Sequence, residues 1–209
     1  MINHLFVIDV EAGDGCTPST GYMTEFGITH VGTGDTLYGH IYDFTAPKSG
    51  PFIPVVNRDH NDNPIKNLYT ITYTKADVNL LKSKYDSFKE RSFANISKFK
   101  KVHDSDANMV NEVSKWVKDH SDRPQFVSDN NGFDAMWFNS WTDAAIPGTL
   151  VFGHSSRRIT DFYAGLNDKW NTPAREWKKN YAKHVHSHYP ADDSYGNAIA
   201  LKKILSKLS

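Results

Sequence analysis

The sequence has a single cysteine, Cys16, in 209 residues. That excludes an intrachain disulfide framework and makes a reducing compartment the natural expectation. No apolar run approaches the roughly 20 residues that a membrane-spanning helix needs. The opening "MINHLFVID" has no basic stretch ahead of a cleavable apolar segment, so the chain reads as cytoplasmic, in a host cytosol if virus-encoded. Net charge is absent too: 24 Lys and Arg balance 24 Asp and Glu. Global charge therefore argues neither for nor against a nucleic-acid partner, and only its distribution can. Repeats and low-complexity tracts are missing, and 209 residues suit one domain with a sizeable core.

What is present reads as alternating strands and helices. "LFVID" (5–9) is a short apolar run closing on an acid, the pattern of a buried strand. A Gly-, Ser-, Thr- and Asp-rich loop, "VEAGDGCTPSTGY", follows. "TEFGITHVG" and "TLYGHIYDF" then form two strands joined by a Gly-Asp turn. Residues 46–103, with the proline patches "APKSGPFIP" and "NRDHNDNP", read as an irregular and partly helical insertion. Its helical spacing falls on Val78, Leu81, Tyr85 and Phe88. From Lys82 to Lys101 seven Lys and Arg face two Asp and Glu, either a solvated helix face or a track for a phosphate backbone.

"SDANMVNEVSKWVKDHS" predicts a helix capped by Ser105 or Asp106, with Met109, Val110, Val113, Trp116 and Val117 as its apolar stripe. "PQFVSD" reads as a strand, "NGFDAMWFNSW" as a helix, "TLVFG" as another buried strand and "ITDFYAGL" as a short helix. "DSYGNAIALKKILSKL" closes the chain as a helix. Three sequential strands followed by β-α units predict an α/β fold: a mixed five-stranded sheet flanked by helices.

Acids fall at the ends of these elements. Asp9 and Glu11 straddle Val10 where the first strand ends, and a period of two places both carboxylates on one face, where they can share a cation. Either they serve that purpose or they are a solvated strand end. Asp134 falls in the first turn of a helix, where the helix dipole alone would favour an acid. His188 and Asp193 lie five residues apart at the start of the last helix. A histidine beside such a carboxylate can deprotonate a water while the carboxylate holds a metal. Each feature taken singly has a bland explanation.

Together they form an ordered series, D-x-E in "VIDVE" (7–11), N-x-x-F-D in "NNGFD" (130–134) and H-x-x-x-x-D in "HYPADD" (188–193). The series resembles the DEDDh subgroup of the DnaQ-like, RNase T-like 3′–5′ exonucleases, and the likeness runs from residue 5 to about residue 205. Ala12 stands where that family often has Thr or Ser. The resemblance implies an RNase H-like fold and a single exonuclease domain over residues 1–209. It also implies two divalent ions, Mg²⁺ or Mn²⁺, held by Asp9, Glu11, Asp134 and Asp193, with His188 as general base. The implied substrate is single-stranded DNA or RNA, cut from its 3′ end.

Candidate substrate contacts are Ala12 and Gly13 near the terminal sugar, and Tyr22, Met23 and Phe26 as a stacking platform. Asn130, at the head of the second motif, and the pair Arg157 and Arg158 complete the set. Asp192 is expected to face solvent or cap the helix, with His184 and His186 as bystanders. Two other readings compete. One is a zinc site built from His184, His186 and His188, on one face if that segment is extended. The other is a non-catalytic nucleic-acid-binding or interaction module on the same fold, which gives no chemical reason to keep all four acids.

Overall fold

The computed structural model describes residues 2–13, 17–41, 68–73, 101–103, 105–170, 172–182, 188 and 190–208. Strand β1 runs Leu5–Gly13, β2 Tyr22–His30, β3 Thr36–His40, β4 Leu68–Tyr73 and β5 Lys101–His103. Helix α1 (Asp106–His120) leads to β6 (Gln125–Ser128), α2 (Asn131–Ala145) and β7 (Ser156–Arg158). Then come α3 (Ile159–Leu166), α4 (Ala174–Trp177), a π-helical turn Lys178–Ala182 and α5 (Pro190–Leu205). None of the described helices is long and apolar enough to cross a membrane.

The strand order is β5-β4-β3-β2-β1-β6-β7. The expected mixed five-stranded sheet is its β3-β2-β1-β6-β7 portion, with β1, β2 and β3 antiparallel in sequence and β6 and β7 parallel to β1. Two further strands, β4 and β5, extend the β3 edge in parallel. They add strands inside the stretch read as an irregular and partly helical insertion: "LYTITY" (68–73), β-branched or aromatic at every position but Leu68, pairs with β3. The helical spacing at Val78 to Phe88 lies outside the described residues.

"TLVFG" is not a strand either. Gly153 takes a left-handed φ of 73° and its N–H bonds back to Leu150 O, turning the chain before β7 begins at Ser156. Phe152 is buried all the same, packed on Phe6, Phe126 and Phe138.

Strand periodicity divides β1 between two cores. Phe6, Ile8 and Val10 face α1 and α2, joining Met109, Val110, Val113, Val117, Trp137, Phe138 and Trp141. Leu5 and Val7 face the other way, against Ile159, Tyr163, Trp177 and the α5 residues Ala198, Ala200, Leu201 and Ile204. Ser105 caps α1 by accepting from Asn108 N–H at 3.3 Å. On the α5 face, the next two positions of β1 after Val7 are the acids Asp9 and Glu11.

Candidate active site

Strand β6 pairs with β1 only from Leu5 to Val7, so the carboxyl half of β1 runs on past it. A crevice opens there, at the carboxyl ends of the central strands, where open α/β sheets bind ligands. Asp134 closes one wall. It sits one turn into α2, which starts directly after β6, and its Oδ1 accepts the Val10 N–H at 3.2 Å. Asn130 O accepts from the N–H groups of Phe133 and Asp134, which starts the helix with Asp134 turned inward and buried.

The opposite wall is α5, and one glycine lets it approach. Gly27 lies across from Asp9 in the β1–β2 register, and a Cβ there would meet Pro190 O at 2.1 Å. Without that side chain, the first turn of α5 rests on the sheet beside Asp9. Ser194 and Thr29 hydroxyls, 3.0 Å apart, fasten the same turn to β2. Asp193 is thereby buried. So is Asp192, at 4% exposure, which corrects the expectation that it faces solvent: the docked turn leaves neither acid in water.

Asp9, on the sheet between these walls, reports the result. Burial holds its carboxyl well above the usual carboxylate range, and the carboxylates of Asp193, Asp134 and Glu11 push it the same way. Asp134 is pushed up to about 7 by its own burial and by the charge of Asp129, against the Val10 N–H that favours its ionised form. The four acids of the ordered series therefore converge. Asp9 Oδ2 and Asp134 Oδ2 are buried and accept no hydrogen bond within the described protein.

A β-bulge between Glu11 and Ala12 ends the regular pairing of β1, just after the second acid of its pair. Glu11 Oε1 accepts from His188 Nδ1 at 3.3 Å. His188 has a left-handed φ of 56° and an exposed side chain, so the imidazole stands at the mouth of the crevice. An all-oxygen carboxylate set with buried oxygens in need of partners suits hard divalent cations. Among the described residues no three His, Cys, Asp or Glu side chains are preset at ligand geometry.

The remaining candidates divide. Phe26 and Met23 are not a stacking platform. Phe26 is fully buried against Phe138 and Trp141, and Met23 belongs to the same core. Phe26 lies across from Val10 and Met23 from Ala12, and the extra residue Thr24 at the bulge brings both onto the face opposite the acids. Gly13 pairs with Tyr22 past the bulge, at the crevice rim; the Tyr22 side chain lies outside the described residues, as do His184, His186, Cys16 and residues 82–100 of the basic run. Asn130 is exposed at the start of α2, and Ala12 is half-buried. Arg157 and Arg158 are exposed on β7; Arg158 donates through Nε to Asp129 O at 2.9 Å and pairs with Asp161.

Two residues escaped the reading of the sequence. Asp129 follows the buried strand β6 as Asp9 ends its own apolar run, the same signal, and its Oδ2 meets Lys178 Nζ at 2.5 Å. Lys178, inside "EWKKNY", carries no sequence signal, yet its charge opposes the rise of Asp9.

No protein-family model matches the chain, and no curated protein matches it. Its fold is matched among solved structures by the nuclease domain of 3'hExo, a DEDDh family member, bound to rAMP. The TM-score is 0.54 at 13% identity, over 97% of this chain and 92% of that one. The α/β architecture is thus the one on which a DEDDh nuclease domain is built.

Proposed function

We propose that this chain, which carries the fold of a DEDDh nuclease domain, is a 3′–5′ exonuclease of single-stranded DNA or RNA. The observation that supports it most is the convergence on Asp9 of three further carboxylates, from β1, α2 and α5. Asp9, Glu11, Asp134 and Asp193 would hold two divalent ions, Mg²⁺ or Mn²⁺. When bound, such ions acidify the attacking water and take up charge on the departing 3′ oxygen.

The chain's own groups do the rest. Glu11 accepts the Nδ1 proton of His188, which leaves Nε2 as the basic nitrogen that takes a proton from water, and the carboxylate then steadies the imidazolium. The left-handed backbone at His188 holds the ring at the rim, in reach of water and of an incoming strand end. Ala12 and Gly13, beyond the bulge, leave room for a terminal sugar to meet the backbone. Arg157 is the candidate phosphate contact, since Arg158 is already engaged with Asp129 and Asp161. A nucleoside monophosphate is the product class of such a reaction, and the matched domain holds rAMP.

The test uses 5′-labelled single-stranded DNA and RNA of one sequence, with Mg²⁺, Mn²⁺ or EDTA, beside an Asp134→Asn protein. A metal-dependent ladder shortening from the 3′ end, missing with Asp134→Asn, is the expected result. No cleavage of either polymer with either metal would overturn the proposal.

A further inference from the structure

A shielded cation borders the acidic crevice. Lys178 opens the π-helical turn after α4, and its side chain is only 12% exposed. A charge with so little water needs a partner, and Asp129 Oδ2 supplies it at 2.5 Å. Asp129 is itself fixed. Its Oδ1 accepts from the Thr160 hydroxyl at 3.3 Å, and its carbonyl from Arg158 Nε. The Thr160 oxygen accepts in turn from Trp177 Nε1 at 3.1 Å, and Trp177, the residue before Lys178, is fully buried. The ion pair is therefore anchored on β7, α3 and α4 together, and Lys178 cannot swing out to solvent without breaking that chain of contacts. Asp129 stands two residues past Val127, the parallel partner of Val7, as Asp9 stands two past Val7, so the ion pair borders the crevice on the Asp9 side.

We propose that Lys178 is a positioning residue: a fixed positive charge, clamped by Asp129, that holds the crevice acids together without a cation and sets how tightly divalent cations bind. This inference rests on the reading of the crevice as a divalent-ion site. It makes two predictions of opposite sign. Lys178→Met leaves the acids more negative, so divalent binding tightens while the metal-free protein loses stability. Asp129→Asn keeps the ammonium and removes a negative charge, so divalent binding weakens. A role limited to bracing the 172–182 segment would move both variants the same way, because both break one contact.

The experiment is calorimetric titration of Mn²⁺ into the intact chain with no nucleic acid present. Lys178→Met should bind about tenfold more tightly than the unaltered protein and Asp129→Asn about tenfold more weakly, with both differences shrinking as KCl is raised. Lys178→Arg, which keeps the charge, should stay within about twofold of the unaltered protein. Weaker or unchanged binding in Lys178→Met overturns the inference. If Lys178→Met does not fold, Asp129→Asn decides: weakening that persists unchanged at high salt overturns it, and weakening that salt erases supports it. An unaltered protein that binds no Mn²⁺ removes the metal-site reading itself and this inference with it, an outcome distinct from the failure of Lys178 alone.

Discussion

Two clusters of buried polar groups occupy opposite ends of the central strands, and they are built on opposite terms. At the amino end of β1, His120 meets Asp35 through Nε2 at 3.0 Å and Trp116 O through Nδ1 at 2.8 Å. His30, its ring 5.1 Å away, donates through Nε2 to Asn3 O and meets the Thr33 hydroxyl through Nδ1. Every ring nitrogen there has a partner. At the carboxyl end, Asp9 and Asp134 each bury an oxygen that accepts nothing within the described protein, and both are harder to ionise than an ordinary carboxylate. A satisfied network stabilises the fold. An unsatisfied one of like charges destabilises it, and the physical reason to keep such a cluster is something it binds.

The sharpest way to break this contrast is Asp134→Asn, because it should move activity and stability in opposite directions. Cleavage should fall on the order of 10³-fold or more, as for a metal ligand. The folded protein holds the Asp134 proton up to about 7, against an ordinary 3.8. The unfolded chain therefore releases that proton first, and metal-free stability declines as pH rises from about 4 to about 7. Asparagine cannot ionise, and its Oδ1 can still accept the Val10 N–H. At pH 7.5 in EDTA the variant should be more stable by on the order of 2 kcal/mol, a Tm gain of about 5 °C. A Tm at or below that of the unaltered protein would mean that the buried carboxylate carries no strain.

Next in size is His188→Ala. A general base contributes about 10² to 10⁴ in rate, and kcat should drop by that factor while the Tm gain on adding Mn²⁺ stays as it was. Under the zinc reading His188 is a ligand, and metal response and activity would disappear together. The two outcomes tell whether the rim of the open cluster belongs to its chemistry or to its metal.

Gly27→Ala tests what holds the open cluster open. A Cβ 2.1 Å from Pro190 O cannot be accommodated without lifting the first turn of α5, so Asp193 should move away from Asp9. Overpacking of this kind typically costs about 1–3 kcal/mol. Activity should fall further than that loss alone explains, since the protein that remains folded has its fourth acid displaced. Full activity in Gly27→Ala would show that the site tolerates the shift.

The legible part of this molecule is what depends on local pattern. The five core strands announce themselves by apolar runs, except β7, where "TLVFG" is the more apolar segment but the turn at Gly153 forces pairing onto the polar Ser156–Arg158. The four acids and His188 are legible through order and spacing, and the structure gathers them at one crevice. What the sequence conceals is set by distant neighbours. Asp192 is buried because Gly27, 165 positions earlier, admits a helix turn. Phe26 looks like a platform until the alternation of β2 turns it into the core. Lys178 is indistinguishable from a surface lysine until the chain returns it to Asp129.

The smallest effect belongs to the closed cluster, and it sets the baseline for the others. Asp35→Ala removes the acceptor of His120 Nε2 at a site where both side chains are mostly shielded from water. Leaving a buried donor without its partner costs about 1–3 kcal/mol. Asp35→Asn, whose amide oxygen can still accept, should lose less. Urea unfolding of the two variants should show the same loss with and without Mn²⁺, because this cluster lies at the other end of β1 from the acids. Cleavage by the folded protein should be unchanged. If activity fell in step with stability in Asp35→Ala, the two ends of the sheet would be coupled, and the polar network at the amino end would have to be counted as support for the crevice rather than for the fold alone.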